Sequence, residues 1–204
     1  MTRNGILSSV RHSLLGLLVL GFSSFSPAAT IDFEGLADGT TIGSTYSALG
    51  VVFSQAQAVS AGISLNEVEF PPHSGANVAL DFGGPIVLLF STPVVSFQGF
   101  FTYATGITLL GTLSGGSVAS ANSTFADNFV SSGNPPNELL QLSSAGGIDT
   151  ITITGDPAGG SFVVDDISFD VSVVSGVPEP ATLVFLGIGL LGAAIGRRAW
   201  VAHS

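Results

Sequence analysis

Residues 148–171 read IDTITITGDPAGGSFVVDDISFDV, and this stretch decides the fold. Thr150, Thr152 and Thr154 alternate with Ile151 and Ile153, so one set of side chains faces water while the other faces a core. Asp156-Pro157-Ala158-Gly159-Gly160 breaks the pattern with turn chemistry, and a second β-rich run, Phe162 to Val171, follows. Working outward, about ten such runs can be read, rich in Val, Ile, Phe, Thr and Leu: 31–34, 51–54, 76–82, 86–90, 94–103, 108–113, 123–130, 138–142, 150–154 and 162–171. Asp38-Gly39, Phe82-Gly83-Gly84-Pro85 and Ser132-Gly133-Asn134-Pro135-Pro136 punctuate them, and Leu113–Ser117 and Ser143–Gly147 read as hairpin loops. No helical period intervenes to build crossovers. The expectation is all-β: an antiparallel jelly-roll sandwich over residues 30–171.

Charge is distributed with unusual asymmetry. The 204-residue chain has 14 acidic residues and only 4 basic ones, no lysine among them. All the basic residues, Arg3, Arg11, Arg197 and Arg198, lie near the chain's two ends. Between Thr30 and Pro180 there is no side-chain cation except a neutral-to-cationic histidine, His73. Nucleic acid is excluded as a partner, because counterion release needs Lys or Arg. Cysteine is absent, which removes disulfides, thiolate nucleophiles and thiolate metal sites.

The two ends read as targeting segments. Arg3 and Arg11, the apolar run Leu14–Phe22 and the small residues Ser26-Pro27-Ala28-Ala29 have the layout of a secretory signal peptide over residues 1–29, cut after Ala28 or Ala29. At the other end, residues 172–180 form a linker that finishes in Val177-Pro178-Glu179-Pro180; the apolar run Ala181–Ile195 and the pair Arg197-Arg198 follow within residues 181–204. The prolines discourage helix before Ala181. The run would span roughly 22 Å as a helix, short for a bilayer unless the arginines snorkel. The expectation is a signal-peptide helix and a single C-terminal transmembrane helix flanking the sandwich, with the arginines on the cytoplasmic side.

Those three parts in order, Pro178-Glu179-Pro180, apolar run, and Arg197 with Arg198, resemble the sorting signal of PEP-CTERM proteins. The resemblance implies an exported protein of a Gram-negative bacterium that makes exopolysaccharide. It also implies processing by an exosortase-type membrane enzyme, with the precursor held in the inner membrane and facing the periplasm, and the product delivered to the envelope or extracellular matrix.

Ile31-Asp32-Phe33-Glu34 opens the domain and Val163-Val164-Asp165-Asp166-Ile167 closes it. This bracket resembles the galactose-binding-like jelly rolls of carbohydrate-binding modules, in which the two strands lie side by side. In that family they share a structural calcium. The resemblance implies Glu34 and Asp166 as Ca2+ ligands, with Asp32 and Asp165 as neighbours, and carboxylates and carbonyls are the donors calcium prefers. Solvated edge charges are the competing reading, and Asp165 and Asp166 cannot share a strand face unless a bulge intervenes.

Catalysis has little to draw on. His73 follows Pro71-Pro72 in a loop-like stretch, and a lone histidine cannot build a three-nitrogen zinc site. Glu67 and Glu69, at i and i+2, are expected to share a strand face and offer the paired carboxylates that glycoside hydrolysis uses. Trp200, the sole tryptophan, lies in the C-terminal segment, which leaves the domain without that aromatic platform for sugars. The expectation is a non-enzymatic structural or interaction protein with no catalytic residues; a carbohydrate-binding module contacting extracellular polysaccharide is the alternative, and a hydrolase the remote one.

Overall fold

The computed structural model describes residues 28–171. The signal-peptide segment, the linker, Pro178, Glu179, Pro180, the apolar run and Arg197-Arg198 lie outside the described residues. Nine strands follow in order: β1 (Ala29–Ile31), β2 (Val51–Ser54), β3 (Ala56–Ser60), β4 (Asn77–Asp81), β5 (Ile86–Tyr103), β6 (Thr108–Leu113), β7 (Gly116–Asn122), β8 (Glu138–Thr154) and β9 (Phe162–Val171). Every pairing between them is antiparallel. The fold is all-β, as the alternation in residues 150–154 requires.

One hydrogen-bonded sheet becomes a sandwich because its two longest strands change partners halfway. The first part of β5, Ile86–Phe90, pairs with β2 and with the end of β8, which also pairs β6, and β6 pairs β7. The second part of β5, from Val94, pairs with the beginning of β8 and with β9, which pairs β4 and β1; β4 pairs β3. Register shifts between Leu89 and Ser96 mark the bend. We call the first set layer one and the second layer two. Among the described residues, each of the nine strands pairs with at least one other.

The inward residues alternate as the sequence dictates. Ile86, Leu88, Leu109, Ile151 and Ile153 of layer one are fully buried, as are Phe97, Phe101, Val164, Ile167 and Phe169 of layer two. Phe90 packs edge-on against Phe169 across the core at a centroid distance of 5.1 Å. At roughly 25 cal/mol per Å2 of apolar surface, this burial is the main favourable term in a chain without disulfides.

Several expected boundaries are revised. The runs 86–90 and 94–103 are one strand, as are 138–142 and 150–154, because the chain bends through bulges instead of turning back. Ser143–Gly147 is therefore a bulged stretch within β8, not a hairpin loop. The segment 123–130 is irregular instead of extended, since the Asn128 side chain occupies backbone groups that would otherwise pair. Its Nδ2 donates to Phe101 O at 2.9 Å and its Oδ1 accepts from Tyr103 N at 2.6 Å. The Leu113–Ser117 loop shrinks to Ser114-Gly115, both at positive φ (51° and 80°), and β7 begins at once. Composition hides β7, because Gly116-Ser117-Val118-Ala119-Ser120-Ala121-Asn122 is mostly small residues whose strand state comes from pairing with β6. Likewise β1 ends at Ile31, with Phe33 at φ 61° turning the chain away.

Candidate functional site

The opening and closing strands lie side by side, Ile31 opposite Ile167. Their carboxylates meet the segment 73–77 that leads into β4. Glu34 Oε1 accepts the N–H groups of Ala76 and Asn77, both at 2.8 Å. Asp165 Oδ2 accepts those of His73 and Ser74, both at 2.9 Å, and its Oδ1 accepts that of Asp166 at 2.7 Å. Asp166 Oδ1 accepts the Ser74 hydroxyl at 2.9 Å, and its Oδ2 lies 2.6 Å from His73 Nδ1. Asp32 Oδ1 accepts Glu34 N at 3.2 Å. The two adjacent aspartates reach the same segment because a register shift interrupts β9 and Asp166 takes φ 45°.

Glu34 and Asp166 thus converge on one segment, but as acceptors for it. Donor groups point at Glu34 Oε1 and at both oxygens of Asp165 and Asp166, and among the described residues no group of three or more His, Asp or Glu is placed to hold a metal ion. Burial is the main cause that raises the Asp165 carboxyl to about 6, with the nearby Asp166 charge adding to it and the N–H donors opposing it.

A similar clamp fixes the 155–162 connection. Asp81, fully buried at the end of β4, accepts Ser161 N (2.8 Å), Phe162 N (3.0 Å) and the Ser161 hydroxyl (2.8 Å). Burial outweighs these bonds and raises its pKa. Glu138 Oε1 accepts Thr124 N at 2.9 Å and its other oxygen accepts the Tyr103 hydroxyl, which burial first and Glu138 second push up to about 12.

His73 lies flat on Phe100, ring centroids 3.5 Å apart and planes 8° from parallel. Ser74 gives its hydroxyl proton to Asp166 and not to His73, so the cluster has no serine–histidine bond for nucleophilic activation. Glu67 and Glu69 do not share a strand face. They lie in a turn, where Glu67 accepts Gly62 N at 3.0 Å and Glu69 accepts Ser131 N at 2.8 Å, tying two different loops.

Beside this cluster, the outer face of layer two presents two polar rows and one partly apolar row. Ser96 stands opposite Ser143 and Asp170, Gln98 opposite Gln141 and Ser168, and Phe100 opposite Leu139. Gln141 Nε2 donates to Gln98 Oε1 at 2.8 Å, and the Ser96 hydroxyl donates to Asp170 Oδ2 at 2.6 Å. A cleft of about 470 Å3 runs over the two polar rows, with Ala28 at its margin. Sequence reasoning missed these residues, because a glutamine or serine at an outward strand position looks like ordinary solvated surface. Only the register that lines up three strands makes them a site.

The class defined so far is an all-β sandwich domain with a polar, cation-free sheet face. Residues 176–199 match the family model of the PEP-CTERM protein-sorting motif, so this chain carries that sorting signal, the address of an exported, membrane-anchored precursor that is processed by exosortase. No curated protein matches the chain. Among solved structures, it is similar to the K2 cleaved adhesin domain of Lys-gingipain (TM-score 0.47, 13% identity, covering 71% of this chain and 99% of that one). It is also similar to a carbohydrate-binding module from Clostridium stercorarium in complex with cellobiose (TM-score 0.35, 15% identity, 71% and 94%). A third similarity is to a Stig cyclase from Fischerella sp. TAU (TM-score 0.37, 11% identity, 71% and 85%).

Proposed function

We propose that this is a non-enzymatic binding protein of the cell envelope or exopolysaccharide layer, whose layer-two face takes neutral polysaccharide. The observation that carries the reading is the cleft over Ser96, Gln98, Gln141, Ser143 and Ser168. Hydroxyls and planar amides there match a polymer of hydroxyl groups, each able to donate and accept. Asp170 at its edge, in a domain without Lys or Arg, disfavours uronic-acid chains. Delivery rests on the sorting signal. In this reading the signal peptide is cut next to Ala29, where β1 begins. An exosortase-type enzyme of the inner membrane then reads Pro178, Glu179 and Pro180, with Arg197 and Arg198 on the cytoplasmic side.

Titration calorimetry against neutral and uronic-acid oligosaccharides tests the binding face. Neutral chains should bind with micromolar affinity, and Gln98→Ala with Gln141→Ala should weaken binding by about tenfold. No binding to any neutral glycan, or a preference for acidic ones, would refute it. Mass spectrometry of the released protein tests delivery: an intact 181–204 segment would rule out processing near Pro180.

A further inference from the structure

Beyond its two polar rows, the outer face of layer two continues into aromatic surface. Ser96, Gln98 and Phe100 alternate outward along β5, while Phe97 and Phe101 are buried in the core. Successive rows lie about 7 Å apart along the strands. Phe100 stands opposite Leu139, which is 43% exposed. His73 is fixed over Phe100 at three points: its backbone N–H donates to Asp165, its Nδ1 meets Asp166, and one face of its ring is stacked on Phe100. The side chain is still 38% exposed. With one face and the Nδ1 edge engaged, that exposure belongs to the opposite face and the Nε2 edge. A carboxylate only accepts, so Nδ1 of the neutral ring carries the proton and Nε2 is an acceptor.

We propose, resting on the polysaccharide reading of the cleft, that the outer face of His73 is a stacking subsite for one sugar ring of the neutral polymer, next in line after the Gln98–Gln141 row. A pyranose has both surfaces that this imidazole can match. Its polarised C–H bonds gather on a ring face and are drawn to the negative face of an aromatic plane, and a hydroxyl at its rim can donate to Nε2. The ring is held before any ligand arrives, so little side-chain freedom is lost on binding. Other occupants fit less well. A cationic ligand needs a free carboxylate beside the ring, and both oxygens of Asp165 and of Asp166 already have partners. An apolar side chain would cover Nε2 without a donor and would meet the amides of Gln98 and Gln141 one row away.

The test is calorimetric titration of the full chain, kept in a detergent without a sugar headgroup, against a panel of neutral hexasaccharides that includes cellohexaose and mannohexaose. For the tightest binder, His73→Ala should raise Kd by about tenfold, and His73→Tyr, which restores an aromatic face, should recover most of that loss. If His73→Ala unfolds, NMR of the unaltered protein decides instead: ring C–H protons of the bound sugar should shift upfield and show NOEs to His73 Hδ2 and Hε1. Binding indifferent to His73→Ala, a loss that His73→Tyr does not recover, or a bound sugar without NOEs to the imidazole would overturn the subsite and leave the polar cleft standing. Tighter binding in His73→Ala would also overturn it, by making His73 a cover over Phe100. Absence of binding to every hexasaccharide would instead remove the polysaccharide reading, and the subsite with it.

Discussion

The two layers share a core and differ in where they keep their acids. Layer two and its loops hold Asp81, Glu138, Asp165, Asp166 and Asp170, each accepting hydrogen bonds. The paired stretches of layer one hold none. The difference shows how a domain without Lys or Arg uses carboxylates. Backbone N–H groups take the place of Lys and Arg as partners, and such charge-assisted bonds fasten long connections to strand ends. The paired stretches of layer one, without acids, present threonine and leucine outward instead.

Breaking the clamped side should cost most. Asp81→Ala strands the buried N–H groups of Ser161 and Phe162 along with the Ser161 hydroxyl, and the expected loss is about 3 kcal/mol in urea unfolding. A loss below about 1 kcal/mol would mean that water replaces the carboxylate.

Acid should sharpen the contrast. Asp165 titrates at about 6 in the fold against 3.8 as its ordinary value, so the folded state takes up this proton first. Its contribution is fully present below the ordinary value and is lost as pH rises through 6. Asp81, raised for the same reason, acts in the same direction. Calorimetric stability should therefore increase from pH 7 to pH 4.5, by about 2 kcal/mol from Asp165, whose two-unit shift is fully expressed, at about 3 kcal/mol, only below its ordinary value, and Asp165→Asn should flatten that slope. The lowered carboxyls of Asp38 and Glu67 oppose this only in more acidic solution, as pH falls through their depressed values. On the layer-one side, Leu110→Thr should change stability by no more than about 0.5 kcal/mol in urea unfolding.

Much of this was legible in sequence for a physical reason. Period-two alternation in Thr150–Thr154 and bulky β-formers in 86–103 state both strand and facing directly. The pairing of first and last strands was legible too, through the Asp-Phe-Glu and Asp-Asp-Ile bracket. Bends inside β5 and β8 were not, since a bulge has no strong composition. Nor was β7, whose small residues are extended only because β6 holds them. The site was half-legible. Glu34, Asp165 and Asp166 stood out as acids that converge, but their partner is the backbone of 73–77, and a backbone N–H carries no sequence signature. Gln98 and Gln141 become a pair only through a register fixed by the whole sheet.

The smallest expected effect tests the central claim most directly, namely that the converging carboxylates bind backbone and not an ion. Melting curves of the purified domain in millimolar calcium and in EDTA should superimpose, because Glu34, Asp165 and Asp166 already have their donors. A melting temperature several degrees higher with calcium, lost in EDTA and insensitive to both in Glu34→Gln, would contradict the account and make the bracket an ion site.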